Sequence, residues 1–493
     1  MFGPSFRLFT LCVGLAMLLA ACQPGEMGIP PGALPPTVTQ MPGPTATHAP
    51  TLTVAPQPTP TPTRPPTFIP GPGLGRLAYV QGGDIWVKTL PDAEPQRLTD
   101  DGRNSVPRWS PSGQWLAFRK GDYQFWVMRA DGTRSRSLVE EAALGAFAWA
   151  PAGDRLAYVA GGELWTINAG GTDPAVLVPQ DLSGRDSGRV GRIAWSPDGA
   201  WIAYEWLEKQ PDHPLAYEGL WKVAADGGRW AELYNSGAPE KGVAILVGWF
   251  LDGQYLFFWQ GDILSASMLA DGVLLYVLPA DGGAPVQLAA KLDARDVPQE
   301  KRVLLHADFI AAAPATGPSP GAVAIAIGGY RATWTNKRVG VVDLNASAVL
   351  FLTPENLAAF SPAWSPGGTR LAFVAMSDEG DLVGSEDARL GMMSRRIWVA
   401  TVDGASPPRQ LTGDPAYRDE RPLWSADGAH ILFVRMDDQS QTSLWLMPFG
   451  EGVPHLVAEH LGPLPGPAPD WLGNYGHVDW DSLFDWWREP IEK

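Results

Sequence analysis

The sequence predicts an all-β chain folded as a β-propeller of eight four-stranded blades, with seven as the alternative count. Three observations lead there. A strand–turn–strand phrase centred on tryptophan recurs along the chain. Each copy is followed by two more short strands in the same order. The first unit also lacks its tryptophan strand, whereas the C-terminus carries a spare one.

The clearest copy runs Ile193-Ala194-Trp195-Ser196-Pro197-Asp198-Gly199-Ala200-Trp201-Ile202-Ala203-Tyr204. Pro197 presets φ for a tight turn, and Asp198-Gly199 tolerates positive φ. Further copies begin at Trp109, Trp149, Trp364 and Trp424, and Trp249 heads a copy that keeps only Trp, Asp and Gly. A degenerate copy is placed around Phe309. The second strand of each unit reads like Leu116-Ala117-Phe118 or Leu371-Ala372-Phe373. The third reads like Leu164-Trp165-Thr166 or Ile397-Trp398-Val399. Asp-Gly turns such as Ala225-Asp226-Gly227-Gly228 close the third strand, and a short fourth strand such as Arg409-Gln410-Leu411-Thr412 follows.

The anchors recur every ~40–60 residues, a spacing suited to a propeller blade. One such sheet cannot bury both of its apolar faces, and a closed ring leaves no end blade exposed. The first unit contains Leu77-Ala78-Tyr79-Val80, Asp84-Ile85-Trp86-Val87 and Gln96-Arg97-Leu98-Thr99. The expectation is that Gly476-His477-Val478-Asp479-Trp480 completes it. The domain reading is a leader over 1–21, a lipidated cysteine and linker over 22–75, the propeller over 76–482 and a tail over 483–493.

The recurring order Trp-Ser-Pro-x-Gly, Leu-Ala-Phe/Tyr, Ile/Leu-Trp-Val and Leu-Thr resembles the TolB-type propeller repeat, a relative of the WD repeat, over roughly residues 75–482. The resemblance implies the fold. Such propellers serve as scaffolds, ligand binders and non-catalytic domains of peptidases, so function has to be argued from sites.

The N-terminus reads as a targeting segment: Arg7, an apolar run from Leu8 to Leu19, then Leu19-Ala20-Ala21-Cys22. That last phrase resembles a bacterial lipobox, which implies cleavage before Cys22 and a diacylglycerol on its sulfur. The chain has two cysteines, Cys12 and Cys22, so the mature form has none to pair in a disulfide. Gln23–Gly75 holds 16 Pro and 10 Thr, too few large apolar groups for a core. As polyproline II, its extended limit is on the order of 150 Å. The net charge of −16 argues against nucleic acid or anionic lipid as a charge-driven partner. The expected location is extracytoplasmic, held to a membrane by the lipid.

The turns between strands one and two, and between three and four, are short. The other connections, such as 208–218, 289–303 and 376–395, are long, and in a meander they emerge on the opposite face. Binding is expected on that long-loop face. Three positions before the assigned anchors stand Val106, Ala146, Arg192, Leu246, His306, Ser361, Arg421 and His477. Arg192, His306, Arg421 and His477 are the candidate ligand-binding residues, a cationic collar for a carboxylate or an acidic peptide end. The competing reading pairs each with a local carboxylate, such as Asp308, Asp419, Glu420 or Asp479.

Other motifs point to no chemistry. Asp378-Glu379-Gly380-Asp381, with Glu386 and Asp387, lacks the ligand spacing of a calcium loop. Asp479, Asp481 and Asp485 beside Trp480, Trp486 and Trp487 fit ring closure better than sugar stacking. Gly317-Pro318-Ser319-Pro320-Gly321 matches Gly-x-Ser-x-Gly, but two prolines flank the serine between two strands. With about a dozen residues after the last expected blade, no hydrolase domain is expected there, a departure from the prolyl oligopeptidase family. No catalytic residue, metal site or cofactor is assigned. The expected function is a lipid-anchored, non-catalytic propeller that binds a protein, peptide or cell-envelope ligand. The alternative is a lyase or glycosidase with an axial acid/base site.

Overall fold

The computed structural model describes residues 74–489, apart from 140–143, 180–187, 209–218, 236–242, 251–252, 262–271, 289–305, 345–348, 381–384 and 465–474 and single positions 316, 330, 379 and 451. The leader, Cys22 and the linker lie outside the described residues, as do most of the connections 208–218 and 289–303. Among the described residues the strands form eight four-stranded antiparallel sheets. Blade 1 is built from both ends of the chain. Blades 2 to 8 each use four consecutive strands, starting at Asn104, Leu144, Gly188, Val243, Ile310, Leu357 and Arg418.

The repeated phrase works through three local devices. In the turn, the hydroxyl of Ser196 donates to Asp198 (2.5 Å) and accepts the N–H of Trp201 (2.9 Å), while Gly199 N–H closes the bend on Ser196 O (2.8 Å). Ser110, Ser365 and Ser425 accept the equivalent N–H in their own blades. In the Leu-Thr motif, the hydroxyls of Thr99, Thr353 and Thr412 accept the N–H of Ile85, Val339 and Ile397. That contact ties the outermost strand to the third strand where the ladder is only a few residues long.

The anchor tryptophans join neighbouring blades. The indole N–H groups of Trp149, Trp195, Trp249, Trp364 and Trp424 donate to the carbonyls of Arg108, Ala148, Ala194, Ala311 and Ala363 at 2.9–3.1 Å. Each acceptor lies on the innermost strand of the preceding blade. A tryptophan is favoured there because it combines large apolar area with one donor that must be satisfied when buried.

The innermost strands also carry bulges. Val106-Pro107, Ser361-Pro362 and Arg421-Pro422 each place two residues opposite one, with Val106, Ser361 and Arg421 at φ of 53°, 52° and 51°. Proline has no N–H to give the ladder, so a bulge is where an inner strand accommodates it.

Two assigned anchors change with the observed register. Leu116 pairs with Trp109 and Ile431 with Trp424, whereas Leu77 pairs with Trp486 and Val323 with Ala312. The anchor of blade 1 is therefore Trp486, not Trp480, and that of blade 6 is Ala312, not Phe309. The ring closes through Phe484–Trp487 pairing with Arg76–Gln81. The expected closing segment 476–480 instead leads into a short 3-10 turn at Trp480–Ser482. The propeller thus extends past 482 into the stretch assigned to the tail. Both segments are short, aromatic and acidic, and the ladder selects the one that stacks Phe484 and Trp486 into the core. One apolar cluster runs through blades 8, 1 and 2, uniting Leu432, Leu446, Leu77, Tyr79, Trp109, Phe484 and Trp486.

Candidate functional site

All eight inner strands run in one direction, from the long-loop face toward the Ser-Pro-x-Gly turns. Residues Tyr475–Leu483 lie against the starts of these strands. Tyr475 O accepts from Thr333 in blade 6, and Gly476 O accepts from Arg395 in blade 7 (2.5 Å). Trp480 Nε1 donates to Glu420 in blade 8 (2.7 Å), Asp481 O accepts from Arg108 in blade 2 (2.6 Å), and Leu483 O accepts from Val80 in blade 1. One segment therefore bonds to strands or loops of five of the eight blades.

Two of its side chains complete charged pairs at the axis. Asp481 takes Arg421 in a bidentate pair, Nε to Oδ1 at 2.8 Å and Nη2 to Oδ2 at 3.0 Å. Burial opposes a charged guanidinium, but Asp481 outweighs it and raises the Arg421 pKa. His477 Nε2 meets Asp308 Oδ1 at 2.9 Å, and its ring stacks on His306 at 3.7 Å between centroids. Burial would lower the His477 pKa, but the Asp308 carboxylate raises it. Burial would raise Asp308, but His477 holds it well below the usual carboxylate range. His306 is pushed down to about 3, first by burial and then by His477. Asp308 thus favours the protonated form of His477, with the neutral His306 imidazole stacked upon it.

The sign of the pH dependence follows. The raised His477 contributes stability that is full below 6.5 and is lost as pH rises through its folded value. The lowered Asp308 contributes stability above 3.8 that is lost as pH falls. The lowered His306 resists protonation, so stability also declines as pH falls from 6.5 toward about 3. We expect this triad to be most stabilising near neutral pH. Denaturant unfolding of wild type and His477→Gln at a series of pH values checks it. The difference between them should shrink at both alkaline and acid ends, and a constant difference would refute the assignment.

The four candidate residues do not form a collar. Arg192 and Arg421 stand three before Trp195 and Trp424, in blades 4 and 8. His306 precedes Phe309, which holds that position relative to Ala312, and Leu483 holds it relative to Trp486. Arg192 sits alone of the four. It lies half exposed above the buried Glu205 at 4.0 Å and 5.7 Å from the Trp259 ring. Glu205 accepts the N–H groups of Arg192 and Leu246 at 2.9 and 2.8 Å, and its pKa is raised by burial. His306, His477 and Arg421 gather instead around Asp308 and Asp481. Of the local carboxylates considered, Asp419 pairs with Arg435 (2.8 Å) and Glu420 with Arg395 (2.6 Å). Asp378 is a loop clamp, bonded to Thr335 and Asn336. Ser319 lies in a turn between two strands, without the strand-to-helix elbow of a hydrolase.

Sequence reading missed Arg108, Asp481 as the partner of Arg421, Asp485 and Arg488. Glu205 was also missed, though one charge within Trp201-Ile202-Ala203-Tyr204-Glu205-Trp206 was a signal. Two adjoining cavities lie below the Tyr475–Leu483 segment. One, of about 350 Å³, is lined by Asp308, Arg421, Asp481, Arg488 and the walls Ile310–Ala312, Pro314, Pro362–Trp364 and Leu423–Trp424. The other, of about 160 Å³, adds Arg108 and Phe484–Trp486.

These features define the class of the molecule: a β-propeller with eight blades, closed by its two ends, with a charged axial cluster. No family model matches the chain. It is similar to Uncharacterized protein Atu1656 of Agrobacterium fabrum at 29% identity over 140 residues, which is 24% of this chain. The match spans 46% of that relative's length. Among solved structures, the dihydro-heme d1 dehydrogenase NirN in complex with DHE superposes with a TM-score of 0.55 at 15% identity, over 83% of this chain and 78% of that one. A prolyl endopeptidase gives a TM-score of 0.47 at 14% identity, over 72% and 50% of the two chains. The first of these structures supports the fold alone.

Proposed function

We propose that this chain is a non-catalytic, TolB-type propeller, anchored outside the cytoplasm through lipid on Cys22, that binds a protein, peptide or cell-envelope ligand on its long-loop face. The observation that supports the non-catalytic part is that the axial carboxylates are paired with side chains of the protein itself. Asp481 gives both oxygens to Arg421, Asp308 bonds His477, and Glu420 bonds Arg395 and Trp480. An acid/base enzyme needs a proton-exchanging group free to meet substrate. Here the groups are committed to holding the Tyr475–Leu483 segment in place.

The anchor and the partner are tested separately. Radiolabelled palmitate should enter wild type and not Cys22→Ser. In capture from an envelope fraction, Arg189→Glu, at the exposed entry to blade 4 on the long-loop face, should weaken retention about tenfold. Gln114→Glu on the turn face should not change it. Equal retention by all three forms overturns the long-loop reading, and label on Cys22→Ser overturns the anchor.

The Asp308–His477–His306 cluster favours one second reading, an axial acid/base enzyme. Conversion of a glycan or polyuronate that is lost in Asp308→Asn would establish it.

A further inference from the structure

We propose that the axial cavity on the short-turn face is a binding site for a small organic anion. Its carboxylate or phosphate would sit on the guanidiniums of Arg421, Arg488 and Arg108, with its apolar body against Ala311, Ala312, Ala363 and Trp364. This goes beyond the long-loop reading, because it needs neither the anchor nor a macromolecular partner.

The face is set by strand direction. The cavity lining, 310–314, 362–364, 421–424 and 484–488, comprises the turn-ward halves of four inner strands. The opposite halves, such as Arg418–Glu420, are covered by the Tyr475–Leu483 segment. The void is therefore roofed on the long-loop side, and its exposed lining residues, Ala312 and Arg488, lie on the turn side.

Ala312 occupies the register position held by tryptophan in the other seven blades. Trp364, Trp424 and Ala312 all line this cavity, and Ala312 is its smallest side chain at an anchor position. A volume of about 350 Å³ falls within the ordinary range of small-molecule sites.

The polarity follows from which hydrogen-bonding capacity is already used. Both oxygens of Asp481 accept from Arg421, Asp308 Oδ1 is bonded to His477, and Asp485 Oδ2 accepts the N–H of Trp109 at 2.7 Å. The guanidiniums retain donors. Arg421 uses Nε and Nη2 on Asp481, Arg488 uses Nη1 on Trp424 O (2.9 Å), and Arg108 uses Nη1 on Pro107 O and Asp481 O. Three guanidiniums with donors to spare suit an oxyanion, and the walls suit an apolar body.

The probes are benzoate, phenyl phosphate, inorganic phosphate and the neutral benzamide, titrated calorimetrically against the propeller carrying Cys22→Ser. Benzoate or phenyl phosphate should bind, benzamide should not, and inorganic phosphate should bind at least about tenfold more weakly than phenyl phosphate. Arg488→Ala and Ala312→Trp should each raise Kd about tenfold or more, one by removing charge and the other by filling the void. The ligand-free melting temperature of each variant reports whether it folds, and Arg192→Ala should bind as wild type. Absence of anion binding, equal binding of benzamide, or unchanged affinity in both cavity variants overturns the site. Equal binding of inorganic phosphate overturns the apolar contact. None of these results bears on palmitate labelling or envelope capture.

Discussion

Replacing Glu420 by glutamine should destabilise the propeller by about 3–5 kcal/mol, because it leaves buried guanidiniums without their carboxylate. Glu420 Oε1 accepts from Arg395 Nη1 at 2.6 Å and lies 3.3 Å from Arg418 Nε, and Oε2 accepts from Trp480 Nε1 at 2.7 Å. The side chains of Arg395 and Arg418 are 0% exposed and that of Glu420 is 3% exposed. Burial alone would raise the Glu420 pKa, but Arg418 and Arg395 outweigh it and lower it below 4.5. With a lowered folded pKa, its contribution is present above 4.5 and disappears as pH falls through the folded value. Denaturant unfolding at neutral pH measures the loss. Adding Arg395→Met to Glu420→Gln should cost less than the two single changes summed, since the second removes a charge that the first stranded. An effect of Glu420→Gln below about 1 kcal/mol would show that water, not Glu420, compensates these arginines.

Ending the chain after Leu483 should abolish cooperative folding, whereas ending it after Glu489 should be silent. The first truncation removes Phe484–Trp487, the innermost strand of blade 1. Phe484 and Trp486 are each 3% exposed, and Trp486 Nε1 donates to Leu74 O at 2.6 Å. Losing one large buried aromatic costs about 3–5 kcal/mol. Losing two aromatics with their ladder therefore approaches or exceeds a domain's whole stability of about 5–15 kcal/mol. The truncation also bares the edge of Arg76–Gln81 as a template for aggregation. Trp486→Ala alone should cost about 3–5 kcal/mol. Calorimetric melts of the three proteins decide it. An intact cooperative transition after loss of Phe484–Trp487 would mean that the ring is held shut by Tyr475–Leu483 instead.

The rest of the ring was legible because its signals are local. Ser196, Pro197 and Gly199 define a turn within a few residues, and the same chemistry holds at Ser110, Ser365 and Ser425. The axial site was only half legible. Counting back from tryptophan locates Arg192 and Arg421, since both are bulge residues three positions before their anchors. It fails in blade 6, where Ala312 replaces the indole and the ruler is gone. It also fails at the C-terminus, where Trp480, Trp486 and Trp487 offer rival origins.

The amino-acid sequence by itself determined the propeller architecture, the strand order within each blade and the sharing of one blade between the chain ends, and the structure fixed eight blades over seven. Those properties depend on short-range turn chemistry and on apolar faces that need neighbours. Only the tertiary structure decided which C-terminal aromatic enters the ladder, that Asp481 partners Arg421 and Asp308 partners His477, and that Ala312 holds the anchor position of blade 6. Such choices are made between residues 60 to 412 positions apart, where packing alone sets who meets whom.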